Sequence, residues 1–239
     1  FQIVESPVRT IETNIEGTKA LLTHATKKKK PILIASTSEV YGKSPELPFR
    51  EDGDLILGPS TKGRWSYAAS KLIDEFLALS YSREKKLPTI VVRLFNTVGP
   101  RQTGQYGMVV PRFVKQALEG GPITVYGDGE QSRCFGYVGD VVGGLVALTR
   151  EPNAYGKVFN IGNDKEISIT ALAEMIRRKV NPDIKIDYIP YDQAYEAGFE
   201  DMRRRIPDLT RIRELIGYEP KIHTEEIIDR VIDSIKSEG

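Results

Sequence analysis

Tyr67 and Lys71 stand four residues apart in the segment YAASK, so on a helix they share one face. An ammonium beside a phenol favours the phenolate and draws a tyrosine's pKa from about 10 toward neutrality. A phenol tuned in this way can take the proton of a hydroxyl while hydride leaves the same carbon. Upstream, Ser36, Thr37 and Ser38 follow the apolar run PILIAS. They stand at the carboxyl end of an expected strand, where ligands sit in open α/β sheets. The spacing Tyr-x-x-x-Lys also arises wherever an exposed tyrosine packs on a lysine stem. The hydroxyl-rich turn upstream is what favours chemistry.

The elements that must hold these residues read as α/β. After FQIVES the chain enters a helical pattern with Val8, Ile11, Ile15, Leu22 and Ala25 at three- and four-residue intervals. PILIAS (31–36) and TIVVRLF (89–95) are fully apolar or nearly so, as buried parallel strands are. Between them lie a Gly/Pro-rich, charged loop (43–64) and a helix from about Ser66 to Glu84, with Ile73, Phe76, Leu77 and Tyr81 on its apolar side. This alternation predicts a parallel sheet. Beyond Gly99 short strands interleave with short helices near 109–119, 140–149, 169–180, 208–216 and 224–237. The expected division is a nucleotide-binding part over 1–98 and a smaller mixed α/β lobe over 99–239, with some later segments returning to the main sheet.

Composition narrows the class. Of 239 residues, 40% are apolar and 28% charged, and 34 basic residues nearly balance 33 acidic ones for a net charge of +1. That balance points to neither nucleic acid nor membrane as partner. Lys27–Lys30 read as a solvated helix end, where cations suit the helix dipole. The single cysteine, Cys134, excludes an internal disulfide and fits a reducing compartment as a small buried residue. His24 and His223 stand too far apart to suggest a metal site. No apolar run approaches the about 18 residues of a membrane span, and the expected location is the cytoplasm.

Several segments, in order and along the whole chain, resemble the extended short-chain dehydrogenase/reductases that modify nucleotide sugars. They are TNIEGT (13–18), STSEVYG (36–42), YAASK (67–71), RLFNTVGPR (93–101), PITVYGDGEQSRCF (122–135) and FNIG (159–162). The resemblance implies a partial Rossmann-like sheet, NAD as cofactor and a UDP-sugar as substrate. It also implies a catalytic triad in which Tyr67 is the base, Thr37 orients the sugar's 4-hydroxyl and Lys71 holds the nicotinamide ribose. Asn14 and Ser36 would lie toward the cofactor; Ser38, Asn96, Arg133 and Arg205 would lie toward the substrate. STSEVYG, GPSTKGRWSYAASK and QSRCF are most similar to UDP-glucuronate decarboxylases. By that likeness Glu39 and Arg133 flank the hexuronate ring and share in catalysis.

Other readings stand beside these. UDP-sugar 4-epimerases keep an arginine at the position of Arg133 to grip the diphosphate, so 4-epimerisation of UDP-glucose or UDP-glucuronate is the alternative reaction. Glu39 has a structural alternative as a loop carboxylate capping a backbone amide, and Arg205 as part of a solvated basic stretch. YGDGEQ (126–131) lacks the strand-then-helix context of a phosphate loop and belongs, by resemblance, to the substrate lobe. The family's glycine-rich dinucleotide loop is not found in residues 1–60. About two to three βα units are therefore expected to be missing ahead of TNIEGT, and NAD is expected to bind this chain weakly. A non-catalytic, truncated nucleotide-sugar-binding subunit is the alternative of another class. The helices near 7–28 and 66–85 resemble a dimer-forming pair, which implies a homodimer.

Overall fold

The computed structural model describes residues 6–104, 108–194 and 202–238. Helix α1 (Pro7–Lys28) begins with a proline in its first turn, where the missing N–H costs nothing. It stops at Lys29 in the left-handed conformation, with Lys27 and Lys28 in its last turn, where cations suit the dipole. Strand β1 (Ile32–Thr37) runs into a 3₁₀ turn (Ser38–Tyr41). Gly42 closes that turn at φ +58, with the carbonyl oxygen of Ile56 only 2.2 Å from where a Cβ would stand, so only glycine fits. Helix α2 (Trp65–Lys85), strand β2 (Thr89–Leu94) and the short β3 (Thr97–Val98) complete the first half.

The second half contains α3 (Val109–Leu118), β4 (Ile123–Tyr126), β5 (Ser132–Cys134), β6 (Gly136–Tyr137), α4 (Val138–Thr149) and β7 (Lys157–Ile161). It continues with β8 (Glu166–Ser168), α5 (Ile169–Val180), β9 (Ile186–Ile189) and the single turn α6 (Tyr191–Ala194). Helices α7 (Thr210–Ile216) and α8 (Thr224–Glu238) follow.

The central sheet has the order β1-β2-β7, all parallel, with Thr37 opposite Leu94 and Leu94 opposite Ile161. Both faces are covered, which is why β2 is apolar almost throughout. One face packs Ile34, Val91 and Val158 against Leu22 and Ala78 of α1 and α2. The other packs Ile90, Val92, Phe159 and Ile161 against Val141 and Leu148 of α4 and Ile212 of α7. Strand β7 and these two helices thus return to the main sheet from beyond residue 99. A separate core joins α3, α5 and α8 to the parallel β4–β9 pair through Phe113, Val125, Leu172, Ile176 and Val231. Among the described residues no helix is long and apolar enough to cross a membrane.

Helix α2 departs from the sequence pattern. Of its expected apolar side, Leu77 and Tyr81 pack against the core, but Ile73 is 43% and Phe76 62% exposed. The buried side carries Ala68 and Ala78 but also Ser70, Asp74 and Glu75. Glu75 is accommodated because Arg93 of β2 grips it with two guanidinium nitrogens, at 3.0 and 2.8 Å, while the Ser36 hydroxyl donates to the same carboxylate. Arg93 also lies 4.7 Å from the centre of the Tyr41 ring, whose hydroxyl donates to Asn160 at 2.7 Å. Burial pushes the Tyr41 phenol up to about 12. Charges this deep are tolerated only when paired and hydrogen-bonded, and these are.

Candidate active site

The site forms at the carboxyl end of β1. Thr37, the last residue of that strand, is extended, and its hydroxyl accepts the backbone N–H of Glu39 at 3.2 Å, capping the 3₁₀ turn. The same hydroxyl is a side-chain hydrogen-bond partner of the Tyr67 phenol. Helix α2 is held in place for this contact by α1, since the Asn14 amide donates to Ser70 at 2.9 Å. Thr37 and Tyr67 are therefore in contact, Lys71 follows one turn along the same helix, and Asn14 braces that helix.

The electrostatics differ from the sequence expectation. The Lys71 ammonium donates to Asp74 at 2.7 Å, one turn further along α2. The Tyr67 phenol is not pulled toward neutrality but held above its ordinary value. Burial is the main cause, and the negative charges of Glu39 and Asp74 add to it against the Thr37 hydrogen bond. The expected lowering fails chiefly because burial disfavours the phenolate, and the Asp74 carboxylate adds its negative charge to that.

Glu39 is the centre of a basic cluster. Arg205 reaches it at 2.7 Å and Arg64 at 3.5 Å, and Arg133 acts on it from further away. Burial alone would raise the Glu39 carboxyl, but Arg205, Arg64 and Arg133 together hold it below the usual glutamate range. Arg205, not Arg133, is thus the direct partner. Arg133, 9% exposed, turns a guanidinium nitrogen onto the Ser132 carbonyl at 2.7 Å. Three guanidinium groups around one carboxylate leave a local excess of positive charge beside the phenol. The buried Arg205 Nε and Asn96 Nδ2 have no hydrogen-bond partner among the described residues, so donors remain for an anionic ligand.

The Ser36 hydroxyl donates to Glu75 of α2 and the residue is 4% exposed, while Ser38, at the start of the 3₁₀ turn, is 2% exposed. Arg64 was missed by sequence reasoning. Its guanidinium stacks 4.9 Å from the Trp65 ring centre as it reaches Glu39, and the adjacent Arg-Trp pair at the start of a helix was the available signal. Cys134 is fully buried, with its thiol pushed up to about 12 by burial, as a packing residue would be. No cluster of metal-ligating side chains occurs among the described residues.

The GDP-mannose 4,6 dehydratase family model matches residues 2–231. The chain belongs to this family. It is 41% identical over 230 residues to a UDP-N-acetyl-alpha-D-glucosaminuronate decarboxylase of Bacillus cytotoxicus, covering 96% of this chain and 71% of that protein. It is 37% identical to UDP-glucuronic acid decarboxylase 1 of Arabidopsis thaliana, covering 97% of this chain but only 51% of the plant protein. Among solved structures, Pal from Bacillus thuringiensis superposes with a TM-score of 0.87 at 29% identity, over 99% of this chain and 72% of that one. The UDP-glucuronic acid 4-epimerase of Bacillus cereus, solved with UDP-glucuronic acid and NAD, superposes with a TM-score of 0.83 at 27% identity, over 95% and 69%. The family consists of NAD-dependent nucleotide-sugar enzymes, and the parallel sheet here is that of its Rossmann-like members.

The residues present suit one end of NAD. Lys71 gives one of its three N–H donors to Asp74, and the others can meet the vicinal hydroxyls of a ribose beside Tyr67. Among the described residues no glycine-rich turn leads from a strand into a helix N-terminus, so the pyrophosphate end has no cradle there.

Proposed function

We propose that the complete protein is a UDP-hexuronate decarboxylase that begins by oxidising C4 of the sugar. The observation that carries this reading is the excess of guanidinium around Glu39, next to the Tyr67–Thr37 contact. With Arg133 given to the diphosphate that every UDP-sugar carries, Arg205 and Arg64 remain as cations that a C6 carboxylate can meet and a neutral hexose ring cannot. The decarboxylases among the chain's relatives support the same reading.

NAD bound beside Tyr67 would accept the C4 hydride. Tyr67 takes the 4-hydroxyl proton as its phenolate, a form that the positive nicotinamide ring would favour against the raised phenol described above, with Thr37 orienting that hydroxyl and Lys71 holding the ribose. The product is a 4-keto acid in which the C6 carboxylate is β to the carbonyl. The C5–C6 bond then breaks, its electron pair becomes the C4 enolate, and CO2 leaves. The Tyr67 and Thr37 hydroxyls donate to the enolate oxygen, and Arg205 supplies a positive field across the ring. Glu39, ionised and held by Arg205 and Arg64, disfavours a second carboxylate beside it and favours neutral CO2, and C5 then takes up a proton from water. Asn96 and Arg133 would receive the diphosphate.

The second reading, 4-epimerisation, shares the first step and is favoured by the likeness to the Bacillus cereus epimerase. The complete protein should be given UDP-glucuronate, UDP-N-acetylglucosaminuronate and UDP-glucose separately, and the products resolved by NMR. Release of CO2 with a UDP-pentose or its 4-keto form is the expected result. UDP-galactose from UDP-glucose, with no CO2 from either acid, would replace decarboxylation by epimerisation. Tyr67→Phe should lower turnover by about 10²–10⁴-fold.

A further inference from the structure

Asp74 is fully buried and makes one ion pair, through Oδ2 to the Lys71 ammonium at 2.7 Å. Its other oxygen, Oδ1, is also buried and has no hydrogen-bond partner among the described residues. A buried carboxylate left half satisfied is costly, and a helix with Ala68 and Ala78 on the same side has no packing need for one. Positions 67, 71 and 74 fall on one stripe of α2, at i, i+4 and i+7. Phenol, ammonium and carboxylate thus follow one another along the helix, with the ammonium paired to the C-terminal member.

We propose that Asp74 is a positioning residue for the Tyr67–Lys71 pair: it fixes the Lys71 ammonium, offsets its charge, and so sets the pH above which Tyr67 can accept a proton. The inference rests on the reading of Tyr67 as the base. Other charged groups near the phenol do not take over this role. Glu39, from the 3₁₀ turn, is committed to Arg205 and Arg64. Arg93, from β2, is committed to Glu75, and α1 presents the neutral Asn14. Asp74 is the acid on α2 that touches the ammonium directly. It adds its own negative charge near the phenol, in agreement with the raised phenol described above. Holding Lys71 in one rotamer also readies the remaining donors for a ribose, at a smaller entropy cost on binding.

The sign follows from charge. Asp74→Asn keeps the size and an acceptor for Lys71 but removes the negative charge and leaves the ammonium uncompensated. Both changes favour phenolate, so the phenol should titrate at lower pH.

The test uses the complete protein carrying tyrosine labelled at Cζ with carbon-13, the Tyr67 signal being assigned by Tyr67→Phe. In Asp74→Asn the Tyr67 titration should fall by about one pH unit or more, and the acid limb of the kcat/KM profile should move the same way. A folded Asp74→Asn protein in which the Tyr67 titration is unmoved would overturn the proposal. Should that variant not fold, the unsubstituted protein decides through the nitrogen-15 signal of Lys71. An ammonium held by Asp74 exchanges its protons markedly more slowly than exposed lysines do, and exchange as fast as theirs overturns the proposal. The NMR titration needs no turnover, so its outcome is separate from the identity of the reaction. Full turnover in Tyr67→Phe would instead end the reading of Tyr67 as base.

Discussion

Glu39 shows how little a residue's type reveals before its neighbours are known. In the sequence it is one acid in a hydroxyl-rich turn; in the structure Arg205 and Arg64 hold it, and Arg133 adds its field. Its folded carboxyl titrates below the ordinary 4.5, so its stabilising pairing is fully present above that value. The stabilisation is lost as pH falls through the lowered folded value. Glu39→Gln should therefore unfold more easily than the parent at neutral pH, by about 1–2 kcal/mol. The urea-unfolding curves of the two proteins should converge as the pH is taken below 4.5. A gap that stayed constant down to strongly acidic pH would mean that the carboxylate's charge contributes nothing. The positions of Tyr67, Lys71 and Thr37 were legible because local rules govern them: helix spacing for two, a strand end for the third. Arg64 and Arg205 were harder to read because their meaning lies in a carboxylate that they reach across the fold.

At the scale of elements, the sequence read well wherever burial followed a simple period. The strands at 32–37 and 89–94 and the helices before and after them stand where the apolar runs placed them. Helix α2 is the instructive failure. A 3.6-residue period puts Ile73 and Phe76 on the core side, yet they face outward, and the core side holds Asp74 and Glu75. Period counting cannot foresee this, because the partners of Glu75 are Arg93, 18 residues on, and Ser36, 39 residues back. The Glu75–Arg93 pair joins α2 to β2 directly beneath the candidate site. Arg93→Met leaves a buried carboxylate without its cation and should cost about 3–5 kcal/mol in urea unfolding. Adding Glu75→Leu should restore most of that stability, because a buried ion pair is often worth little over apolar residues of similar size. If the double variant is no more stable than Arg93→Met alone, the loss lies elsewhere, with Tyr41 and its stacking the first place to look.

For the whole molecule, the outward faces of α1 and α2 raise the question of what they meet. Val8 is 66% exposed, Leu21 59% and Phe76 62%, and these helices lie against each other on one face of the sheet. Single exposed apolar residues are ordinary on a protein surface, but several on adjacent helices form a surface that a second copy can cover. Two-fold pairing would place each helix pair against its counterpart, an arrangement in which the same residues serve both partners. The complete protein is accordingly expected to scatter light as a dimer at micromolar concentration. Phe76 is the most informative substitution, because it is large and its side chain is 62% exposed, whereas its chain neighbour Glu75 is buried against Arg93. Phe76→Glu should weaken association by at least about a hundredfold, since two-fold symmetry removes one buried aromatic side chain from each partner, while leaving urea unfolding of the separated subunit nearly unchanged. A parent protein that scatters as a monomer at micromolar concentration would show that these apolar residues do not hold two copies together. A dimer that survives Phe76→Glu at full strength would place the interface on another face.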